Sequence, residues 1–190
     1  MDSKVQKKKP IRTCTKTYKN YRSFKKYIVE DFNNRCGYCD DLDKFHGGRN
    51  NYQIDHFKPK KLFLALETDY SNLVYSCPFC NRAKWDKWKE KDGFIDPCDE
   101  EYDNHLERNA RGQIKCKSEQ GQYIHINLNL HLKRHELLWM IEKLQEQSTE
   151  IDIQLTLLDD GHELEIVILR EFRKIQQKIN RYTNLFHNEI

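Results

Sequence analysis

The chain has 190 residues and a mass of 23.1 kDa, which suits one domain or one domain with an appendage. Hydrophobic residues make up 37%, charged residues 33% and aromatics 12%, so disorder is excluded and a packed core is expected. No apolar run approaches the roughly 18 residues of a membrane-spanning helix. Residues 1–16 carry charge with no apolar stretch behind them, so neither a membrane nor a secretory signal is expected, and the expected location is cytoplasmic.

The net charge of +3 conceals an asymmetry. Residues 1–95 hold 21 Lys or Arg against 12 Asp or Glu, whereas residues 96–190 hold 12 against 18. A basic half points to a polyanionic partner, although residues 1–10 alone read equally well as a solvated basic tail. In chain order, Tyr21, Phe24, Ile28 and Phe32 recur at helical spacing and predict an amphipathic helix whose aromatics pack on the core. Residues 52–57 alternate apolar with polar and predict a short strand stopped by Pro59. Asp55 and His56 are neighbours on it, so both can serve one site only where the strand ends or bulges. A helix is expected from about Phe79 to Trp88, with Asn81 in its first turn and Trp85 and Trp88 in the core.

Beyond Pro97 the pattern changes. Gln113 to Cys116 and Gln122 to Ile126 suggest a hairpin around residues 118–121. Leu130 to Glu146 and Glu163 to Phe186 carry apolar stripes at helical spacing, while residues 151–158 fit strand or helix. The expected organisation is a core over residues 1–97 followed, over 98–190, by a hairpin and a mostly helical extension that reads as a packing or partner-docking module.

Seven cysteines without a signal sequence do not make a disulfide framework. Cys36-Gly37-Tyr38-Cys39 and Cys77-Pro78-Phe79-Cys80 are two Cys-x-x-Cys turns, each able to present both sulfurs to one ion. Together they complete a tetrahedral shell for structural Zn²⁺. Cys14, Cys98 and Cys116 are too scattered for a second such site, and His46 is at most a spare ligand. The 40–76 segment between the turns is long for a plain zinc ribbon and must house something else.

The ordered set Cys-x-x-Cys, Asp55-His56, Asn72-Leu73 and Cys-x-x-Cys-Asn81-Arg82-Ala83-Lys84 resembles the HNH endonucleases, across residues 30–90. The resemblance implies an α+β fold, a zinc-clamped ββα-metal core. It implies that His56 is the general base, that Asn72 braces and orients it, and that Asp55 and Asn81 hold Mg²⁺ or Mn²⁺, with DNA as substrate. The variant is H-N-N, since Asn81 stands in the last position. Lys58, Lys60, Arg82 and Lys84 are candidate phosphate contacts, with a solvated face as the alternative. The looser run through Phe94-Ile95-Asp96-Pro97, His105-Leu106, Gly112-Gln113-Ile114 and Leu128-Asn129-Leu130 is similar to the small HNH subunits of Septu and retron-associated antiphage systems. That implies an SMC/ABC-type ATPase partner. Two other readings stay open: a zinc-dependent nucleic-acid-binding module without catalysis, and a stand-alone restriction or homing-type nuclease.

Overall fold

A computed structural model describes residues 4–158 and 162–188. The chain is α+β, with two small antiparallel sheets among helices, and it divides into two compact units, one ending at Leu132 and the other beginning at Lys133. No helix among the described residues is long and apolar enough to cross a membrane.

The first unit opens with an extended strap rather than a loose tail. Val5 and Gln6 are buried. The Gln6 amide donates to the carbonyls of Gly37 (2.8 Å) and Pro97 (2.9 Å), and Arg12 donates to the Leu73 carbonyl (2.9 Å) beside an ion pair with Asp96 at 3.0 Å. A 3-10 turn over Tyr21–Phe24, capped by the Asn20 side chain, then feeds helix α1 (Lys25–Asp31). Phe24, Ile28 and Phe32 lie fully inside, each contributing roughly 1.5–3 kcal/mol by burial. The helix ends because Asn33 and Asn34 both adopt left-handed conformations (φ 55° and 60°), which asparagine tolerates better than most residues. That reversal turns the chain into the first cysteine knuckle, where Arg35 closes the loop onto Asp40 at 3.0 Å.

Strand β1 (Gln53–His56) pairs antiparallel with β2 (Leu73–Ser76), placing Asp55 opposite Val74 and His56 opposite Leu73. Helix α2 (Pro78–Lys84) follows at once. Cys77 is its N-cap, with its sulfur accepting the Cys80 N–H, and Pro78 opens the first turn. The helix stops at Lys84, four residues before Trp88. Trp85 sits at φ 51° and is 71% exposed, so it is not the core residue expected, whereas Trp88 packs edge-on against Phe57 and Phe63.

The unit continues past Pro97, where the sequence suggested a boundary. Tyr102, in α3 (Tyr102–His105), is fully buried and donates to the Tyr38 carbonyl (2.7 Å), and Arg108 donates to that of Cys39 (2.6 Å). Residues beyond 97 thus grip the first knuckle. The hairpin differs from expectation too. Strand β3 (Leu106–Arg108) pairs with β4 (Ile114–Cys116), and residues 122–126 belong to helix α4 (Glu119–Asn127). The cause is the Ser118 cap, whose hydroxyl accepts the Gly121 N–H. Ile124 and Leu128, one helical turn apart, are then buried together.

The second unit is a helical pair, α5 (Lys133–Thr156) and α6 (Glu165–Asn188). The ambiguous residues 151–156 continue α5 as helix. The Arg134 guanidinium lies 5.5 Å over the Phe186 ring. The start of α5 therefore meets the end of α6, and the helices run antiparallel.

Candidate active site

The four knuckle cysteines are buried and bring their sulfurs within 4.8 Å of one another. The Cys39–Cys77 separation is 3.8 Å. A tetrahedral shell with sulfur about 2.3 Å from zinc has edges of about 3.8 Å, so the residues fit Zn²⁺. Gly37 between the first pair cannot carry a side chain, because a Cβ there would lie 2.7 Å from Phe32 and 2.9 Å from Val74. Cys14, Cys98 and Cys116 remain free thiols outside this cluster.

Asp55 and His56 sit at the end of β1, both over 90% buried, and their side chains take different partners. The Asp55 carboxylate accepts the Tyr38 hydroxyl at 2.6 Å and pairs with the Lys84 ammonium at 3.1 Å and 3.4 Å. Burial raises its pKa, with Lys84 and Tyr38 opposing. His56 places Nε2 2.9 Å from the Glu67 carbonyl. A carbonyl only accepts, so Nε2 carries the proton and Nδ1 keeps its lone pair. Burial lowers the His56 pKa, with the Glu67 carbonyl and Asp55 opposing, so the ring is neutral near pH 7. The edge of the Tyr21 ring packs on it, with centroids 4.7 Å apart.

Asn72 is buried beneath this arrangement. Its Oδ1 accepts the Lys58 N–H (2.8 Å), and its amide donates to the carbonyls of Lys58 (3.0 Å) and Leu66 (3.3 Å). One side chain thereby ties the residue two places after His56 to the residue before Glu67. Asn81, in the first turns of α2, donates to the Gln53 side chain rather than meeting Asp55. The donor set of one carboxylate and one amide suits a hard cation. The Lys84 ammonium already stands at Asp55 as a resident cation, so the carboxylate is formed to receive positive charge.

The basic candidates separate by environment. Lys84 is entirely buried and donates to the His56 carbonyl at 2.8 Å as well as to Asp55. The expectation of a solvent-facing phosphate contact is thus corrected: α2 turns Lys84 inward to neutralise Asp55. Lys58 lies half-buried over the Phe63 and Trp88 rings. Lys60 is exposed and pairs with Glu67 at 3.2 Å, and Arg82 is exposed. Of the two partners of Asp55, the sequence does not single out Tyr38 and offers Lys84 only as a phosphate contact. Their only signals are the position of Tyr38 inside the knuckle and the spacing of Lys84 one turn after Asn81.

Comparisons with known proteins bear on this geometry. Residues 36–87 match the family model described as HNH endonuclease. The chain is 26% identical over 84% of its length to the Septu protein PtuB of Bacillus mycoides (strain KBAB4), covering 63% of that protein. It is 32% identical over 42% of its length to the Septu protein PtuB of Bacillus thuringiensis, covering 30% of that protein. The chain thus spans less than two thirds of these curated relatives. The matched segment 36–87 holds both knuckles, Asp55, His56, Asn72 and Asn81; the family model carries the resemblance to HNH endonucleases, and the two relatives carry the resemblance to Septu subunits.

Proposed function

We propose that the chain is a metal-dependent HNH endonuclease that hydrolyses phosphodiester bonds in DNA. His56 is the general base, its Nδ1 taking a proton from the attacking water while the Glu67 carbonyl holds Nε2–H. The observation that carries this reading is the brace: Asn72 ties Lys58 to Leu66, and so fixes His56 against the carbonyl that sets its tautomer. Asp55 and Asn81 would hold Mg²⁺ or Mn²⁺, which when bound stabilises negative charge on the phosphate and the leaving oxygen. Lys60 and Arg82, both exposed, would contact the phosphate backbone.

The similarity to Septu PtuB supports a role as effector subunit of a cytoplasmic antiphage complex, with an SMC/ABC-type ATPase as partner. The α5–α6 pair is the docking module in this reading, since Ile153, Leu157, Ile166 and Val167 are all more than half exposed. A second reading, a zinc-held nucleic-acid-binding module without catalysis, is favoured by one observation: Asp55 is engaged by Lys84 and Tyr38.

Plasmid cleavage with Mg²⁺ or Mn²⁺ decides between them. The His56→Ala variant should lose about 10²–10⁴-fold in rate while keeping its zinc. Equal cutting by both proteins would refute the assignment of His56. If neither protein cuts, with or without the ATPase, the binding-module reading stands instead.

A further inference from the structure

A cavity of 510 Å³ lies at the start of β1, lined by Tyr21, Arg22 and Lys25 from the leading helical segment and by Tyr52, Gln53 and Asn81. Its volume lies in the range of small-molecule sites, roughly 300–1,000 Å³. Two cations line it and no acidic residue does. Tyr21 joins the cavity to the general base, because its ring edge packs on His56. The same ring gathers positive charge, with the Arg22 guanidinium 5.8 Å and the Lys60 ammonium 5.2 Å from its centroid. Lys25 spends one donor on the Tyr52 carbonyl and lies 4.9 Å over the Tyr75 ring, which leaves donors for another acceptor. Tyr21, Arg22 and Lys25 all precede the matched segment 36–87.

We propose that this cavity receives one nucleotide of the substrate strand next to the scissile phosphate, with its own phosphate bound by Arg22 and Lys25. The assignment rests on the nuclease reading and adds a binding site supplied by the leading helix. Burial lowers the Lys25 pKa, with Asp43 opposing. An anion in the cavity reverses that, so ligand and ammonium stabilise each other. Asn81 also lines the cavity, so a nucleotide bound there lies beside the residue proposed to hold the metal.

The test uses the full chain carrying His56→Ala, so that binding is read without cutting, and a fluorescein-labelled single-stranded DNA followed by anisotropy across a salt series. Arg22→Glu changes an exposed side chain and leaves the fold intact. Lys25→Met removes the half-buried cation, and Lys115→Glu, on exposed β4, is the control. Arg22→Glu and Lys25→Met should each weaken binding at least about tenfold, and each should flatten the plot of log K against log[salt] by roughly 0.7, the value of one phosphate contact on a single strand. The control should do neither. Parent-like affinity and slope in both cavity variants would overturn the assignment while leaving the nuclease reading intact. A parent that binds no strand at all would overturn both.

Discussion

Replacing Lys84 with Met separates a buried ion pair into its costs. The ammonium makes contacts of 3.1 Å and 3.4 Å to Asp55 and 2.8 Å to the His56 carbonyl, with no exposed surface of its own. Methionine fills similar volume, so the loss is electrostatic rather than a cavity. A carboxylate left without its partner in such a place costs about 3–5 kcal/mol. Protonation sets a ceiling on that figure. Neutralising a carboxyl whose unfolded pKa is about 3.9 costs about 4 kcal/mol at pH 7, at about 1.4 kcal/mol per pH unit. The lost bond to the His56 carbonyl adds about 1 kcal/mol. Lys84→Met should therefore destabilise by about 3–5 kcal/mol at pH 7 and by about 1.4 kcal/mol less at pH 6.

The sign agrees with the wild-type protein, where Asp55 has a raised pKa. Stability from such a group is present at low pH and is lost as pH rises through the folded pKa; removing Lys84 raises that pKa further. Guanidinium unfolding of the zinc-loaded protein at both pH values measures this, with wild type at each pH cancelling the zinc contribution. The double variant Asp55→Asn/Lys84→Met removes both charges and should recover most of the loss. A single-variant cost below about 1 kcal/mol, unchanged between pH 7 and 6, would refute the reasoning. So would a double variant no more stable than Lys84→Met.

Other consequences can be checked directly. With His56 as the proposed general base, the acid limb of the cleavage rate should report its titration, and burial lowers its pKa below the ordinary 6.5. Activity should hold to pH 6.5 and fall only beneath it, and an acid limb above 6.5 would contradict the buried, neutral base. A divalent ion on Asp55 moves the limb in the same direction. Asn72→Ala strands the Lys58 N–H and two carbonyls, so it should cost about 1–3 kcal/mol in unfolding. It should also lower kcat by up to about 100-fold through a displaced His56, with KM little changed. Removing zinc with a strong chelator should unfold the first unit, seen as loss of near-ultraviolet circular dichroism, because four buried sulfurs crowded within 4.8 Å of one another lose the ion that would hold them together.

What was legible in the sequence follows the range of the interactions. The knuckles, β1 and the placement of Asn81 early in α2 depend on spacings of two to four residues, and these are visible in one stretch of chain. Lys84 reads as part of a charge run with Arg82 and Lys87 because nothing local distinguishes it. Only the pairing of β1 with β2 brings Asp55 to within reach of α2. The hairpin was misplaced for a similar reason. Leu106–Arg108 is too short to show a period, so the apolar alternation at 122–126 looked like the better partner for Ile114–Cys116. The indole of Trp85 suggests a core position, and the left-handed turn that ends α2 sends it to solvent instead.

Tyr38 ties the zinc site to the chemistry. It stands between Cys36 and Cys39 and donates to Asp55 at 2.6 Å, while Tyr102 holds its carbonyl from behind. The sulfur cluster therefore fixes the backbone from which one of Asp55's two polar partners is presented, and Lys84, at the end of the helix that Cys77 caps, presents the other. Both partners hang on cysteine turns. In the proposed nuclease, zinc held by the knuckles would thus govern activity while taking no part in it, and a Tyr38→Phe substitution isolates that link. It removes one hydroxyl from Asp55 and leaves the knuckle intact, so zinc content should be unchanged. A rate indistinguishable from wild type would show that the knuckle supports the fold alone.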